Sequence, residues 1–158
     1  MSILPPSLDA RPAILFVTAT RIGDAVLSTG LLRHLVERCG DARFTVAAGP
    51  VSAPLFQGLP GLEKLVALRK RSYARHWLDL HRQVVGRRWD LVVDLRGSAL
   101  AWSIRARHRR VAGKGDPRTH RVVQLARVFD LAPPPAPCLW LTAPHEIAGE
   151  RLVPDGPP

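Results

Sequence analysis

The stretch from residue 13 to residue 40 constrains the fold most, because an apolar run passes through a short polar turn directly into a helical pattern. Residues 13–18 form an apolar run of the kind found in strands that are buried on both faces of a parallel sheet. Residues 20–24 form the turn. Apolar residues then recur at spacings of three and four, which predicts a helix over 24–39 that Gly40 ends. A buried strand followed at once by a helix indicates an α/β fold.

The same alternation of strand and helix patterns continues along the chain. Further strands are predicted over residues 44–48, 64–68, 90–95 and 109–112. Further helices are predicted over residues 51–57, 73–87, 98–107 and 119–129. Strands that alternate with helices form βαβ units, so we expect a Rossmann-like, mainly parallel sheet flanked by helices. Right-handed crossovers would place the turns after residues 19, 48, 68, 95 and 112 at one edge of that sheet.

Composition sets the broad class of protein and its domain organisation. The chain has 158 residues, of which 46% are hydrophobic, so one globular domain is expected. We divide it into a lead-in at residues 1–12, the Rossmann-like domain at 13–131 and a proline-rich linker at 132–158. The N-terminus lacks the basic region of a signal peptide, and there is no run of about 18 apolar residues. A cytoplasmic location is therefore the default expectation.

Positive charge is concentrated in the middle of the chain. The formal net charge is +10, and the window from Arg69 to Arg110 holds twelve basic residues against three acidic ones. Such a cluster attracts anionic partners, which could be nucleic acid, anionic lipid or a phosphorylated substrate. A solvated surface in an arginine-rich chain accounts for the same pattern equally well, and both explanations stay open at this point.

Several common catalytic motifs are absent from the sequence. There is no glycine-rich dinucleotide fingerprint, no P-loop, no zinc-protease helix motif and no hydrolase nucleophile elbow. The two cysteines, Cys39 and Cys138, are far apart and fit small buried hydrophobic residues better than metal ligands. We therefore expect no bound metal and no cofactor.

The first predicted strand–helix turn carries a single carboxylate, Asp24, that allows two roles. As an N-cap or first-turn acid it would stabilise the helix by about 1 kcal/mol. As an ionised group in a cleft at the strand end it would accept a proton. Spacing alone favours the structural role. The preceding Gly23 favours the chemical one, because a residue without a Cβ lets a substrate approach the backbone closely.

The other polar candidates also follow predicted strands or begin helices. Asp94 lies inside a buried strand pattern, where a structural hydrogen-bonding role is favoured. Arg96 could bind an anion or pair with one of the two nearby aspartates, Asp94 and Asp24. Ser98 is expected to cap the next helix. His120 begins the last predicted helix, and a lone histidine in such a place is more often structural than catalytic.

Four sequence blocks resemble the N-terminal half of glycosyltransferase family 9, whose best-known members are the bacterial ADP-heptose:lipopolysaccharide heptosyltransferases. The resemblance covers most of the chain, from Ala13 to Glu150. The blocks are ILFVTATRIGDAVLSTGLLRHL, DARFTVAAGPVSAPLFQGLPGLEKLVAL, RRWDLVVDLRGSALAW and HRVVQLARVFDL. The resemblance implies a GT-B enzyme, in which two Rossmann-like domains face each other across a cleft. The N-terminal domain receives the acceptor, and the C-terminal domain binds the nucleotide-sugar.

The resemblance also implies roles for individual residues. The family's acid in the Ile-Gly-Asp turn matches Asp24, which would be the general base of an inverting transfer that needs no metal. The donor would be a nucleotide-sugar such as ADP-heptose, and the acceptor a sugar acid on phosphorylated lipid A. The residues implied in acceptor binding are Thr20, Arg21, Gly23, Arg69, Lys70, Arg71, Arg96, Gly97, Ser98 and His120.

Departures from the family pattern and the length of the chain shape the remaining expectations. Family members often have proline at the position of Gly30 and glutamine at that of Arg96, and they are much longer than this chain. We therefore expect the acceptor-binding half alone, with the nucleotide-sugar site in an absent C-terminal domain. Contact with the inner face of the inner membrane would be peripheral, through the lipid-linked acceptor. For such an enzyme no nucleic acid is expected.

The alternative is a non-catalytic module that binds nucleic acid or a membrane surface through the cluster from Arg69 to Arg110.

Overall fold

Five strands form one parallel sheet in the structure, a computed structural model that describes residues 11–68 and 75–152. In chain order the strands are β1 (Ala13–Val17), β2 (Arg43–Ala48), β3 (Leu62–Ala67), β4 (Trp89–Asp94) and β5 (Ala106–Val111). Across the sheet they lie in the order β3-β2-β1-β4-β5, and every neighbouring pair is parallel. The predicted Rossmann-like α/β fold is confirmed, since the carboxyl ends of all five strands lie at one edge.

Helices cover both faces of the sheet. The described helices are α1 (Ile22–Cys39), α2 (Arg75–Val84), α3 (Leu100–Ser103), α4 (Arg121–Ala126) and α5 (Ala143–Leu152), and the first four pack on the sheet. Short 3-10 turns lie at Ala53–Phe56 and Arg127–Phe129. Because side chains alternate along a strand, the buried Ile14 and Phe16 of β1 pack in the core beneath α1 and α4, whereas Leu15 and Val17 pack beneath α2 and α3. None of the helices in the described ranges is long and apolar enough to cross a membrane.

The helix predicted over 98–107 is wrong. Helix α3 ends at Ser103, after one turn, and β5 begins at residue 106 instead of 109. The reason is a tertiary contact, because the guanidinium of Arg109 donates hydrogen bonds to the carbonyls of Ala101 (2.6 Å), Ile104 (2.8 Å) and Ala106 (3.1 Å). The first of these bonds satisfies the Ala101 carbonyl, which a helix over 98–107 would have paired within itself.

The segment predicted as a proline-rich linker packs on α1 and then forms a helix. The backbone N–H of Cys138 donates to the Thr29 hydroxyl at 2.9 Å. Gly30 is buried, and a Cβ at this position would meet the carbonyl oxygens of Pro135 and Ala136, the latter at 2.9 Å. The sequence predicted no helix at α5, none of whose residues is buried, and residues 153–158 lie outside the described ranges.

Replacement of Gly30 by alanine should destabilise the fold, because its methyl group would push the Pro135–Ala136 backbone away from α1. Overpacking of this kind costs about 1–3 kcal/mol. Urea denaturation measures the effect. Gly149→Ala is the matched control, since nothing lies within 4 Å of a Cβ built on this helical glycine. Equal unfolding free energies for Gly30→Ala and the wild type would contradict the packing described here.

Candidate functional site

The strand order reverses at β1, and a crevice opens at that point. The chain leaves β1 toward β2 on one side, while β4 lies on the other side, so the connections after β1 and β4 diverge over opposite faces. Ligands of open α/β sheets bind at the carboxyl ends of strands at such a reversal. A cleft of about 340 Å³ lies there, lined by Ala19, Thr20, Arg21, Asp24, Leu95, Arg96, Ala112, Gly113 and Arg121.

Asp24 is the third residue of α1, and its carboxylate faces this cleft. The N-cap position belongs to Arg21, whose side chain makes no capping bond, so Asp24 is a first-turn acid and not the cap. The Asp24 side chain is 32% exposed. A buried hydrogen bond of 2.7 Å between the hydroxyls of Thr18 and Ser28 holds the second turn of α1 against the end of β1. The carboxylate is thus carried by a rigid part of the fold and is open to a ligand.

Arg121 reaches the same cleft from the other wall. Its Nε lies 3.4 Å from Oδ1 of Asp24, and its side chain is 35% exposed. The family resemblance implied the neighbouring His120 instead. His120 occupies the N-cap position of α4, is exposed, and is not among the residues that line the cleft. The sequence could have identified Arg121 by its position. It is the first residue of a helix that follows β5, and the end of β5 lies at the same edge of the sheet.

The turn before α4 fixes the position of Arg121. Asp116 accepts hydrogen bonds from the Arg118 backbone N–H (2.9 Å) and the Thr119 hydroxyl (3.0 Å). The first of these bonds holds the pKa of the exposed Asp116 carboxyl below its usual value, because it favours the charged form. Gln124 donates to the carbonyls of Asp116 and Thr119, both at 2.7 Å, and accepts from Nη1 of Arg121 at 3.1 Å. The guanidinium therefore reaches Asp24 from an ordered support.

The buried carboxylate of Asp94 shapes the opposite wall of the cleft. It accepts hydrogen bonds from the backbone N–H groups of Arg96 (2.9 Å) and Ser98 (2.8 Å) and from the Ser98 hydroxyl (2.5 Å). Between them Gly97 adopts a φ of +63°, a conformation that favours glycine. The structural role predicted for Asp94 agrees with this geometry. The prediction that Ser98 caps α3 is wrong, because Ala99 occupies the N-cap position.

The structure thus brings together some of the predicted site residues and separates others. Thr20, Arg21, Asp24 and Arg96 line the cleft. Gly23 is exposed beside them, with open space where a Cβ would stand, and Gly97 lies in the turn between Arg96 and Ser98. Ser98 lines a separate groove against α2 and α3. The predicted basic residues after the third strand, Arg69, Lys70 and Arg71, lie outside the described residues.

The electrostatics of the cleft suit an anion with a hydroxyl group. Among the described residues, three arginines, Arg21, Arg96 and Arg121, line the cleft together with one carboxylate, that of Asp24. Guanidinium groups bind carboxylates and phosphates in a bidentate manner, and the carboxylate can accept a proton from a hydroxyl within reach. No group of three or more His, Cys, Asp and Glu side chains within residues 11–68 and 75–152 is arranged to hold a metal ion.

Comparison with known proteins places the fold. No protein-family model and no curated protein matches the sequence. Solved structures do match, among them a family 9 glycosyl transferase from Veillonella parvula, with a TM-score of 0.72 and 14% identity over 90% of this chain and 49% of that one. The chain shares its fold with family 9 glycosyltransferases. The resemblance found in the sequence is therefore confirmed at the level of the fold.

Two Escherichia coli enzymes show the same likeness. ADP-heptose lipopolysaccharide heptosyltransferase II matches with a TM-score of 0.61 and 18% identity over 89% of this chain and 50% of that one. Heptosyltransferase WaaC, solved with ADP, matches with a TM-score of 0.55 and 14% identity over 74% of this chain and 46% of that one. The chain spans about half the length of each of these structures.

Proposed function

We propose that this chain is the acceptor-binding part of an inverting glycosyltransferase and that Asp24 is its general base. The observation that carries the proposal is the open carboxylate of Asp24, which lines the cleft with three arginines in the described part of the chain, at the strand-order reversal of a fold shared with glycosyltransferases. In the proposed reaction, Asp24 takes the proton from an acceptor hydroxyl as the hydroxyl oxygen bonds to the anomeric carbon of the donor sugar. The bond from that carbon to the nucleotide phosphate breaks, and ADP leaves with the electron pair.

The proposed acceptor is anionic, a sugar acid on phosphorylated lipid A. Arg21 and Arg96 would bind its carboxylate or phosphate, with Arg69, Lys70 and Arg71 as further contacts after β3. Arg121 would bind the same acidic group from the other wall of the cleft and would orient the Asp24 carboxylate by the contact that it makes at 3.4 Å. Thr20, Gly23, Gly97, Ser98 and His120 remain candidates for acceptor binding. The enzyme would act at the inner face of the inner membrane, where such an acceptor is anchored.

The proposed donor is a nucleotide-sugar such as ADP-heptose, bound by a second domain. Support comes from one structural neighbour, heptosyltransferase WaaC, which was solved with ADP and also with ADP-2-deoxy-2-fluoro heptose. The proposed chemistry requires no metal, because Asp24 supplies the base and ADP is a good leaving group.

The alternative, a non-catalytic anion-binding module built on the cluster from Arg69 to Arg110, has less support. Arg109 of that cluster is engaged with backbone carbonyls at the end of α3. Arg87 pairs with Glu63 and lies 4.9 Å from the centre of the Trp89 ring. These two arginines stabilise the fold, so the cluster is not a uniform surface for binding a polyanion.

Replacement of Asp24 by asparagine should lower the rate of sugar transfer by about 10²- to 10⁴-fold, the range that general-base catalysis contributes. The amide keeps the shape of the side chain but accepts no proton, so acceptor affinity should change little. Heptose transfer from ADP-heptose is measured with this chain joined to its donor-binding domain. Near wild-type turnover by Asp24→Asn would remove this residue from the mechanism.

Replacement of Arg121 by glutamine should weaken binding of the anionic acceptor and remove the ion pair that holds the Asp24 carboxylate. Loss of one charge-assisted hydrogen bond costs about 1.5–3 kcal/mol, or roughly 10- to 150-fold in affinity. Calorimetric titration with deacylated, phosphorylated lipid A that carries the sugar acid measures the change. Arg33→Gln is the control, because Arg33 also pairs with an acid, Glu37 at 3.2 Å, but on the exposed side of α1. Equal affinities for the two variants would contradict a role for Arg121 in the cleft.

A further inference from the structure

A second concavity, which the proposed transfer does not use, lies between α2 and α3. It has a volume of about 590 Å³, and the described residues that line it are Leu78, His81, Ser98, Ala99, Leu100 and Ser103. We call it the α2–α3 groove. Its surface is mainly apolar, whereas that of the cleft around Asp24 is mainly polar. Helix α3, which contributes Leu100 and Ser103 to the lining, ends after one turn.

The outer side of α2 leaves apolar surface uncovered beside this groove. Leu80 and Val84 of α2 are buried against the sheet, as expected for the inner side of an amphipathic helix. Leu78 of α2 is 55% exposed, and Val85, the residue that follows the helix, is 40% exposed. Single apolar residues scattered over a convex surface are common and need no explanation. Apolar surface within a concavity more often marks a ligand site.

The α2–α3 groove and the cleft lie on either side of one short turn. Arg96 lines the cleft and Ser98 lines the groove. Residues two apart in a chain are separated by at most about 7 Å between Cα atoms. The turn is fixed by the bonds that the Asp94 carboxylate accepts from both residues. A single molecule whose charged group lies among the arginines can therefore place an attached chain in the groove.

We propose that the α2–α3 groove binds an alkyl chain of an anionic amphiphile whose charged group occupies the cleft. The inference rests on the proposed function, since it assigns an apolar subsite to the same acceptor. Charge complementarity favours an anionic head group, because Arg21, Arg96 and Arg121 all line the cleft. The apolar lining selects the chain. The volume of the groove lies in the range of small-molecule sites, about 300–1,000 Å³, which fits one chain and not the flat surface of a bilayer.

The test compares inorganic phosphate, butyl phosphate and decyl phosphate, with each alkyl phosphate kept below its micelle-forming concentration. NMR titration of the full 158-residue chain yields the affinities. Complete burial of one methylene group strengthens binding by about fourfold. The six additional methylenes of decyl phosphate would be only partly buried in an open groove, so we expect a gain of about 10- to 100-fold over butyl phosphate.

Two variants locate the bound chain. Leu78→Ser should reduce the gain from the longer chain by about fourfold or more and leave the affinity for inorganic phosphate unchanged. Leu141→Ser is the matched control, because Leu141 is 62% exposed and does not line the groove. It should change neither affinity.

Three other outcomes would overturn the proposal, and each identifies the part of it that is wrong. Equal affinities for butyl and decyl phosphate would remove the apolar subsite and leave the anion-binding cleft intact. A gain from chain length that Leu78→Ser leaves unchanged would place the chain elsewhere on the protein. Failure of all three phosphates to bind would overturn both the groove and the arginine cleft on which the proposed function depends.

Discussion

The position of β1 between β2 and β4 is the constraint on which the candidate site depends. Because the chain crosses over one face of the sheet after β1 and over the other face after β4, a cleft opens at the carboxyl end between them. The first turn of α1 can then present Asp24 to solvent while the strand before it is fully buried. The same reversal brings the turns after β4 and β5 to the rim of the cleft, although they lie far from Asp24 in sequence.

Hydrogen bonds within each wall convert this opening into a defined site. Asp94 holds the turn that carries Arg96, and the turn around Asp116 supports Arg121. Neither aspartate lines the cleft itself. Such rigidity matters for the proposed chemistry, since a general base contributes only when it is held within hydrogen-bonding distance of the acceptor hydroxyl.

The sequence predicted those parts of the structure that depend on local pattern. Apolar periodicity was sufficient for the parallel sheet, and position after a strand was sufficient to place Asp24 and Arg96 at the edge where the cleft lies; their roles came from the family resemblance. Tertiary contacts decided the rest. The short α3 depends on the Arg109 guanidinium, which comes from the following strand. The packing of residues 132–138 depends on Gly30, which the sequence marked only as a departure from a family pattern. Arg121 was missed because its contact with Asp24 joins residues that are 97 positions apart.

The central claim is that the cleft at the end of β1 binds an anionic acceptor with a hydroxyl group against Asp24. A crystal structure of the chain with deacylated, phosphorylated lipid A that carries the sugar acid tests it most directly. The account predicts an acceptor hydroxyl about 2.6–3.2 Å from the Asp24 carboxylate, with the acceptor's acidic group against Arg96 or Arg21. An acceptor bound at another surface, with the cleft unchanged, would contradict it.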